Sequence, residues 1–156
     1  MPVVEKSAEF VMRQVKPDFA TAMIGDADRT SLLTRITDTS LYEGMNLSFF
    51  PDDLNELRAY FRWMAKMTGR SDFLYMATAG KRGNAPAMLD YQMHDAGIYC
   101  MRTGWTRGDS YWHVLGVRLE RGEKSSHSHN DTGHLELMIG GEDILIDSGR
   151  YIYNSS

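Results

Sequence analysis

Four of the five histidines fall between residues 113 and 134, and three share one segment, Ser126-His127-Ser128-His129-Asn130-Asp131-Thr132-Gly133-His134. In extended backbone, residues two apart project to the same side, so His127 and His129 would point together. A neutral imidazole is a common metal ligand, and a carboxylate nearby would complete a zinc-like donor set. Histidine also titrates near neutrality, so it can pass a proton to or from a substrate. Asp147 is the candidate carboxylate. If Gly140-Gly141 forms a two-residue hairpin turn, Ile139 pairs with Glu142, and counting outward sets His134 opposite Asp147. One face of that hairpin would carry Leu135, Leu137, Ile139, Ile144 and Ile146 as a core face. The other would carry His134, Glu136, Met138, Asp143, Leu145 and Asp147. A slip of one residue would separate His134 from Asp147. The segment fits a plainer account equally: solvated loop histidines, with Ser126, Asn130 and Asp131 capping local turns.

The elements that must position these residues differ between the two halves of the chain. Val4, Ala8, Val11 and Val15 recur at helical spacing and predict a helix that stops by Pro17. A second helix is predicted with Asp52 or Asp53 as its cap, Leu54, Leu57, Phe61 and Met64 as its stripe, and Gly69 as its end. Tyr60, Trp63 and Met67 give it a second apolar face. A short helix is expected around Ser31 to Asp38. The turn formers Gly80-Lys81-Arg82-Gly83-Asn84-Ala85-Pro86 read as a linker. Beyond them the period becomes alternating, with strands expected over Gly97–Arg102, Tyr111–Leu119, His134–Ile139 and Asp143–Asp147. Asp147-Ser148-Gly149-Arg150-Tyr151 reads as a turn entering another strand, so the chain is expected to continue beyond Ser156.

Composition narrows the function classes. The 156 residues, with 42% hydrophobic and 24% charged, are those of a globular protein with room for a modest core. A formal charge of −4 argues against a broad nucleic-acid surface, although a local cluster of cations can still attract an acidic polymer. Arg102, Arg107, Arg118, Arg121 and Lys124 alternate with acids and read as solvated surface. The lone Cys100 permits no intrachain disulfide. No run approaches the ~20 apolar residues of a membrane span, and the start shows no signal-peptide pattern.

His127-Ser128-His129-Asn130-Asp131, Leu135-Glu136-Leu137 and Ile144-Leu145-Ile146-Asp147-Ser148-Gly149-Arg150-Tyr151 together resemble the central motif of the heparinase II/III-like polysaccharide lyases. Met101-Arg102-Thr103-Gly104-Trp105 is similar to the strand that opens that family's β-sandwich. Pro17-Asp18 with Ile24-Gly25-Asp26-Ala27-Asp28 is similar to a segment near the end of its α/α-toroid. The resemblance implies an α+β chain: the C-terminal helices of an (α/α) toroid over 1–75, a connector over 76–95, and the first antiparallel strands of a β-sandwich over 96–156, truncated at both ends. It implies that His127 lines the catalytic cleft and that His129 and Asp147 hold a divalent metal, Zn2+, with a further histidine from later in the chain. The catalytic tyrosine and the group that neutralises the uronate would precede Met1, so this chain alone is expected to be inactive. His134 is no fixed feature of the motif and receives no catalytic role.

The implied reaction is β-elimination on an acidic, uronate-containing polysaccharide such as a glycosaminoglycan or alginate. A base removes the C5 proton, donors neutralise the adjacent carboxylate, and an acid protonates the leaving oxygen. The implied location is the periplasm, cell envelope or exterior, and the implied partners are the polysaccharide and the remaining toroid and sandwich segments of the same parent chain. Two other readings compete. One is a cupin-like metal-binding β-barrel, since His127-x-His129 followed by His134 has the spacing of a cupin's first motif. The other is a sugar-binding β-sandwich without catalysis.

Overall fold

The computed structural model describes residues 2–23, 53–116 and 132–147. The chain divides into two compact units, Met1–Arg13 with Arg29–Ala87 and Gln14–Asp28 with Met88–Ser156. The first is helical among its described residues, and the second is built on an antiparallel sheet. The segment from Ser31 to Asp38, expected to hold a short helix, lies outside the described residues.

In the helical unit, α1 spans Pro2–Arg13, α2 Asp53–Thr68 and α3 Ser71–Ala77. The buried positions of α1 are Ala8 and Met12, an i, i+4 pair, while Val4 is exposed. Val15, expected on the same stripe, lies past the helix and bridges to Thr21 instead. The helix therefore ends four residues before Pro17. Phe61 and Met64 are the fully buried members of the α2 stripe, and Met67 on its second face is half exposed. Gly69 ends α2 with a left-handed φ of 70°, its N–H donating to the Ala65 carbonyl at 2.9 Å. The sequence reading assigned no element to α3. It packs Phe73 on Phe61 with ring centroids 5.9 Å apart, and Arg58 Nε donates to the Ala77 carbonyl at 3.1 Å near its end. The Arg70 guanidinium pairs with Asp72 and Glu9, which joins this turn to α1.

The sheet unit has five strands: β1 Tyr91–Met93, β2 Ile98–Arg102, β3 Tyr111–Leu115, β4 His134–Ile139 and β5 Glu142–Leu145. They lie in sequence order, each antiparallel to the next. Four of these strands match the sequence expectation to within a few residues, and the three-residue β1 was not foreseen. Gly140 and Gly141 carry φ of 60° and 87°, the doubly left-handed turn that the β4–β5 hairpin needs. Ile139 pairs with Glu142 and Met138 with Asp143 as counted from the sequence; then the register shifts and Leu137 pairs with Leu145. The extra residue, Ile144, is a β-bulge. It also moves Leu145 to the face of Leu137, opposite to where an unbroken count puts it.

The core of this unit inverts the sequence reading. Met93, Ile98, Cys100, Tyr111, Leu115 and Met138 form its buried cluster with Ala22. These residues share a face with His134 and Glu136, the face expected to be polar and solvated. The face expected to be core carries exposed Ile139 and Ile144, together with Leu145, which the bulge moves there. The reason is the hook formed by residues 14–23. Lys16 N donates to the Ala20 carbonyl at 2.7 Å, and the hook docks on the mixed face through side chains of three strands. Arg102 Nη2 donates to the Val15 carbonyl at 2.8 Å, Glu136 Oε1 accepts from Met23 N at 2.6 Å, and Lys16 Nζ donates to Asp143 Oδ1 at 2.8 Å. Arg102 is thereby a buried clasp, not the solvated surface cation its neighbours in sequence suggested. Its guanidinium also lies 3.6 Å from the Trp105 ring centroid and 4.8 Å from that of Tyr111.

Candidate functional site

The titratable groups of the sheet unit gather on the hook-covered face. His113 is opposite Cys100 on one side and Glu136 on the other, and Leu115 is opposite His134. Side chains at 113, 134 and 136 therefore share one face of β3 and β4. Gly133 N donates to the Leu115 carbonyl at 2.7 Å, which anchors the start of β4 and fixes His134 at the sheet end. After Leu145 the chain leaves the strand, and Asp147 returns toward that end: its Oδ2 lies 3.6 Å from His134 Nε2. The bulge breaks the direct register that was expected to pair these two residues, and the departure from the strand restores their proximity.

Burial sets the electrostatics. His113 is fully buried and, among the described residues, neither of its ring nitrogens has a hydrogen-bond partner. Burial, then the neighbouring His134, pushes its imidazole down to about 4, so it stays neutral at ordinary pH. Burial raises Glu136 above the usual carboxylate range, opposed by the Met23 N–H and by Lys16 and His134. The Tyr111 hydroxyl reaches Cys100 Sγ at 3.4 Å, and burial raises its pKa well above the ordinary phenol value.

Of the residues expected to do chemistry, Asp147 lies among those described, with its side chain 12% exposed. His127 and His129 lie outside the described residues. Sequence reasoning passed over His113, although its place in the alternation Tyr111-Trp112-His113-Val114-Leu115 was a usable signal. Asp147 and His134 are donors of a kind that suits a divalent ion, and His134 Nε2 is buried without a hydrogen-bond partner. Among the described residues no group of three His, Cys, Asp or Glu stands close enough to hold one, so a site here needs a donor from elsewhere. No described helix is long and apolar enough to cross a membrane.

The family model "Heparinase II/III-like, C-terminal" matches residues 89–156, which include every strand of the sheet and the His127–Asp147 motif. Residues 89–156 are those of a heparinase II/III-like C-terminal domain. The chain is 27% identical over 139 residues to a heparin-sulfate lyase of Pedobacter heparinus, an alignment covering 88% of the chain and 17% of that relative. It is 31% identical over 99 residues to a heparin-sulfate lyase of Bacteroides stercoris, covering 62% and 14%. Among solved structures it is similar to a mutant of the heparan sulfate lyase HepC from Pedobacter heparinus. There the TM-score is 0.73 and the identity 25%, over 99% of the chain and 20% of that protein. A heparinase III shares the fold at TM-score 0.71 and 21% identity, over 97% of the chain and 20% of its own length. The chain thus spans between 14% and 20% of the length of these relatives. The fold and the family displace the cupin-like barrel as a reading of the histidine segment.

Proposed function

We propose that this chain supplies one side of the active site of a polysaccharide lyase that cleaves a uronate-containing glycosaminoglycan by β-elimination. The observation that supports it best is the match of the family's C-terminal domain to residues 89–156, with the His127-Ser128-His129 and Asp147 positions inside it. The names of the two curated relatives favour a sulfated glycosaminoglycan of the heparan type over alginate as the substrate.

In this reading His127 exchanges a proton with the sugar, either taking it from C5 or returning one to the departing O4. His129 and Asp147 would hold Zn2+, which would supply a fixed positive charge that stiffens the segment carrying His127. The hook and the sheet give Asp147 a firm base. Arg102, Glu136 and Asp143 bind the hook to β2, β4 and β5, the last two forming the hairpin that precedes Asp147. Rigid support matters because a general base must approach its proton to about 3 Å, and small misplacements cost large factors in rate. The tyrosine and the donors that neutralise the uronate would come from other segments of the protein, which acts outside the cytosol.

The test is ultraviolet absorbance of the unsaturated uronate product, with heparan sulfate, other glycosaminoglycans and alginate as substrates. Expressed with the coding sequence that flanks it, the protein should turn over heparan sulfate, and His127→Ala should lower kcat by roughly 10²–10⁴-fold. The 156 residues alone should show little or no turnover. Absence of unsaturated product from every uronate polymer with the complete protein would overturn the proposal, as would unchanged kcat in His127→Ala.

A further inference from the structure

The turn formers from Gly80 onward, which read as a linker, begin as a loop folded back on α3. Ala79 N donates to the Met76 carbonyl at 3.3 Å and Gly80 N to the Tyr75 carbonyl at 2.9 Å. These are the paired bonds of a helix C-terminal cap, made with left-handed φ of 50° at Ala79 and 80° at Gly80. Thr78 Oγ1 then accepts from Arg82 N at 2.9 Å, and Asn84 N donates to Ser71 Oγ at 3.0 Å. Gly83 passes so close that a Cβ there would stand 2.2 Å from the Ser71 carbonyl oxygen. An alanine at positive φ is uncommon and persists where its surroundings fix it. The loop is built, not slack.

What it offers to solvent is dominated by donors. Lys81, Arg82, Gly83 and Asn84 are all exposed. Among the described residues the Lys81 ammonium, the Arg82 guanidinium, the Gly83 N–H and the Asn84 amide have no partner. Other cations of this unit are engaged: Arg58 by the Ala77 carbonyl, and Arg70 by Asp72 and Glu9. No acidic residue lies between Asp72 and Asp90. In a chain of net charge −4 this makes a local positive site. A guanidinium fork beside an ammonium and an N–H suits a tetrahedral oxyanion with several acceptor oxygens. A loop already fixed in shape removes much of the ordering cost of such a contact.

We infer that the Lys81–Asn84 loop binds a sulfate group of the polysaccharide, so that the helical unit also holds the polymer. This rests on the substrate proposed above and adds a contact outside the His127 segment. The competing account is a solvated cationic loop that attracts any polyanion.

Two double variants of the protein, expressed with its flanking coding sequence, decide between them. Lys81→Ser/Arg82→Ser removes the loop cations, and Arg62→Ser/Lys66→Ser removes the same charge from exposed positions of α2. Exposed substitutions of this kind should leave folding intact. The loop variant should bind immobilised heparan sulfate about 3–30-fold more weakly at about 0.1 M salt, and the α2 variant should stay within about twofold of wild type. The loss should disappear on chemically desulfated heparan sulfate. In turnover the loop variant should raise KM and leave kcat unchanged, unlike His127→Ala. Wild-type affinity in the loop variant overturns the inference, as do equal losses in the two variants or an equal loss on double-stranded DNA. A wild-type protein that does not bind heparan sulfate overturns it too. Loop-dependent binding without any unsaturated product would uphold the contact and remove the lyase reading.

Discussion

Along β4, Met138 is 2% exposed and its neighbour Ile139 is 52% exposed, and this alternation divides the whole sheet unit. The inner face holds Cys100, Arg102, Tyr111, His113, Glu136 and Met138, a mixture of apolar, aromatic and ionisable groups. The outer face presents Met101, Trp112, Ile139, Ile144 and Leu145 to solvent. Hydropathy alone would exchange the two. The difference teaches that a strand's buried side is chosen by what docks on it. The hook of residues 14–23 brings backbone N–H and C=O groups that need charged partners, and the mixed face supplies them. A buried polar group is tolerable when it finds partners, as Glu136 Oε1 does in Met23 N and Arg102 Nη2 does in the Val15 carbonyl.

The contrast can be broken most directly within β4. Met138→Ala should destabilise the protein by about 2–5 kcal/mol in urea unfolding, whereas Ile139→Ala should cost under about 1 kcal/mol. Equal losses at the two positions would mean that the outer face is covered in solution.

The next largest effect is on acid stability. His113 has a folded-state pKa depressed from 6.5 to about 4, so below 6.5 the unfolded chain takes up a proton that the folded protein refuses. Stability should therefore fall as pH drops from 6.5 toward 4, by roughly 3 kcal/mol at most for this group. The window is read from urea midpoints across that range. His113→Gln should flatten it, and a variant with undiminished acid sensitivity would show that another group is responsible.

A smaller effect tests the satisfaction of the inner polar groups. Glu136→Leu leaves Met23 N without its acceptor and should cost about 1–3 kcal/mol, while Glu136→Gln retains an acceptor and should cost less. Hydrogen exchange at the Met23 amide should quicken in the leucine variant and change little in the glutamine variant. Smallest is the Lys16–Asp143 pair at the rim of the hook, with the Asp143 side chain 40% exposed. Asp143→Asn should shift stability by no more than about 1 kcal/mol, and the shift should shrink at high salt.

Much of the architecture was legible because its signals are local. The periodicity of Phe61 and Met64 with Gly69 behind them marks α2, and Gly140-Gly141 between alternating strands marks the hairpin. The motif from His127 to Asp147 identified the family, which the comparison with known proteins bears out. What escaped depends on neighbours distant in sequence. The seven-residue α3 is held by Phe61 and by Arg58 rather than by its own pattern. The bulge at Ile144 was not in the count from the turn, and His134 and Asp147 meet in spite of it. Arg102 looked like one more surface cation, but it donates a hydrogen bond to a carbonyl 87 positions earlier.

The sequence by itself determined the element types, the hairpin turn and the chemical inventory of the candidate site. Each of these follows from backbone preferences and side-chain chemistry acting over a few residues. Tertiary structure decided which face of the sheet became core and which charged groups were withdrawn from water. Those outcomes turn on the desolvation and pairing of groups dozens of residues apart, and no local pattern carries that information.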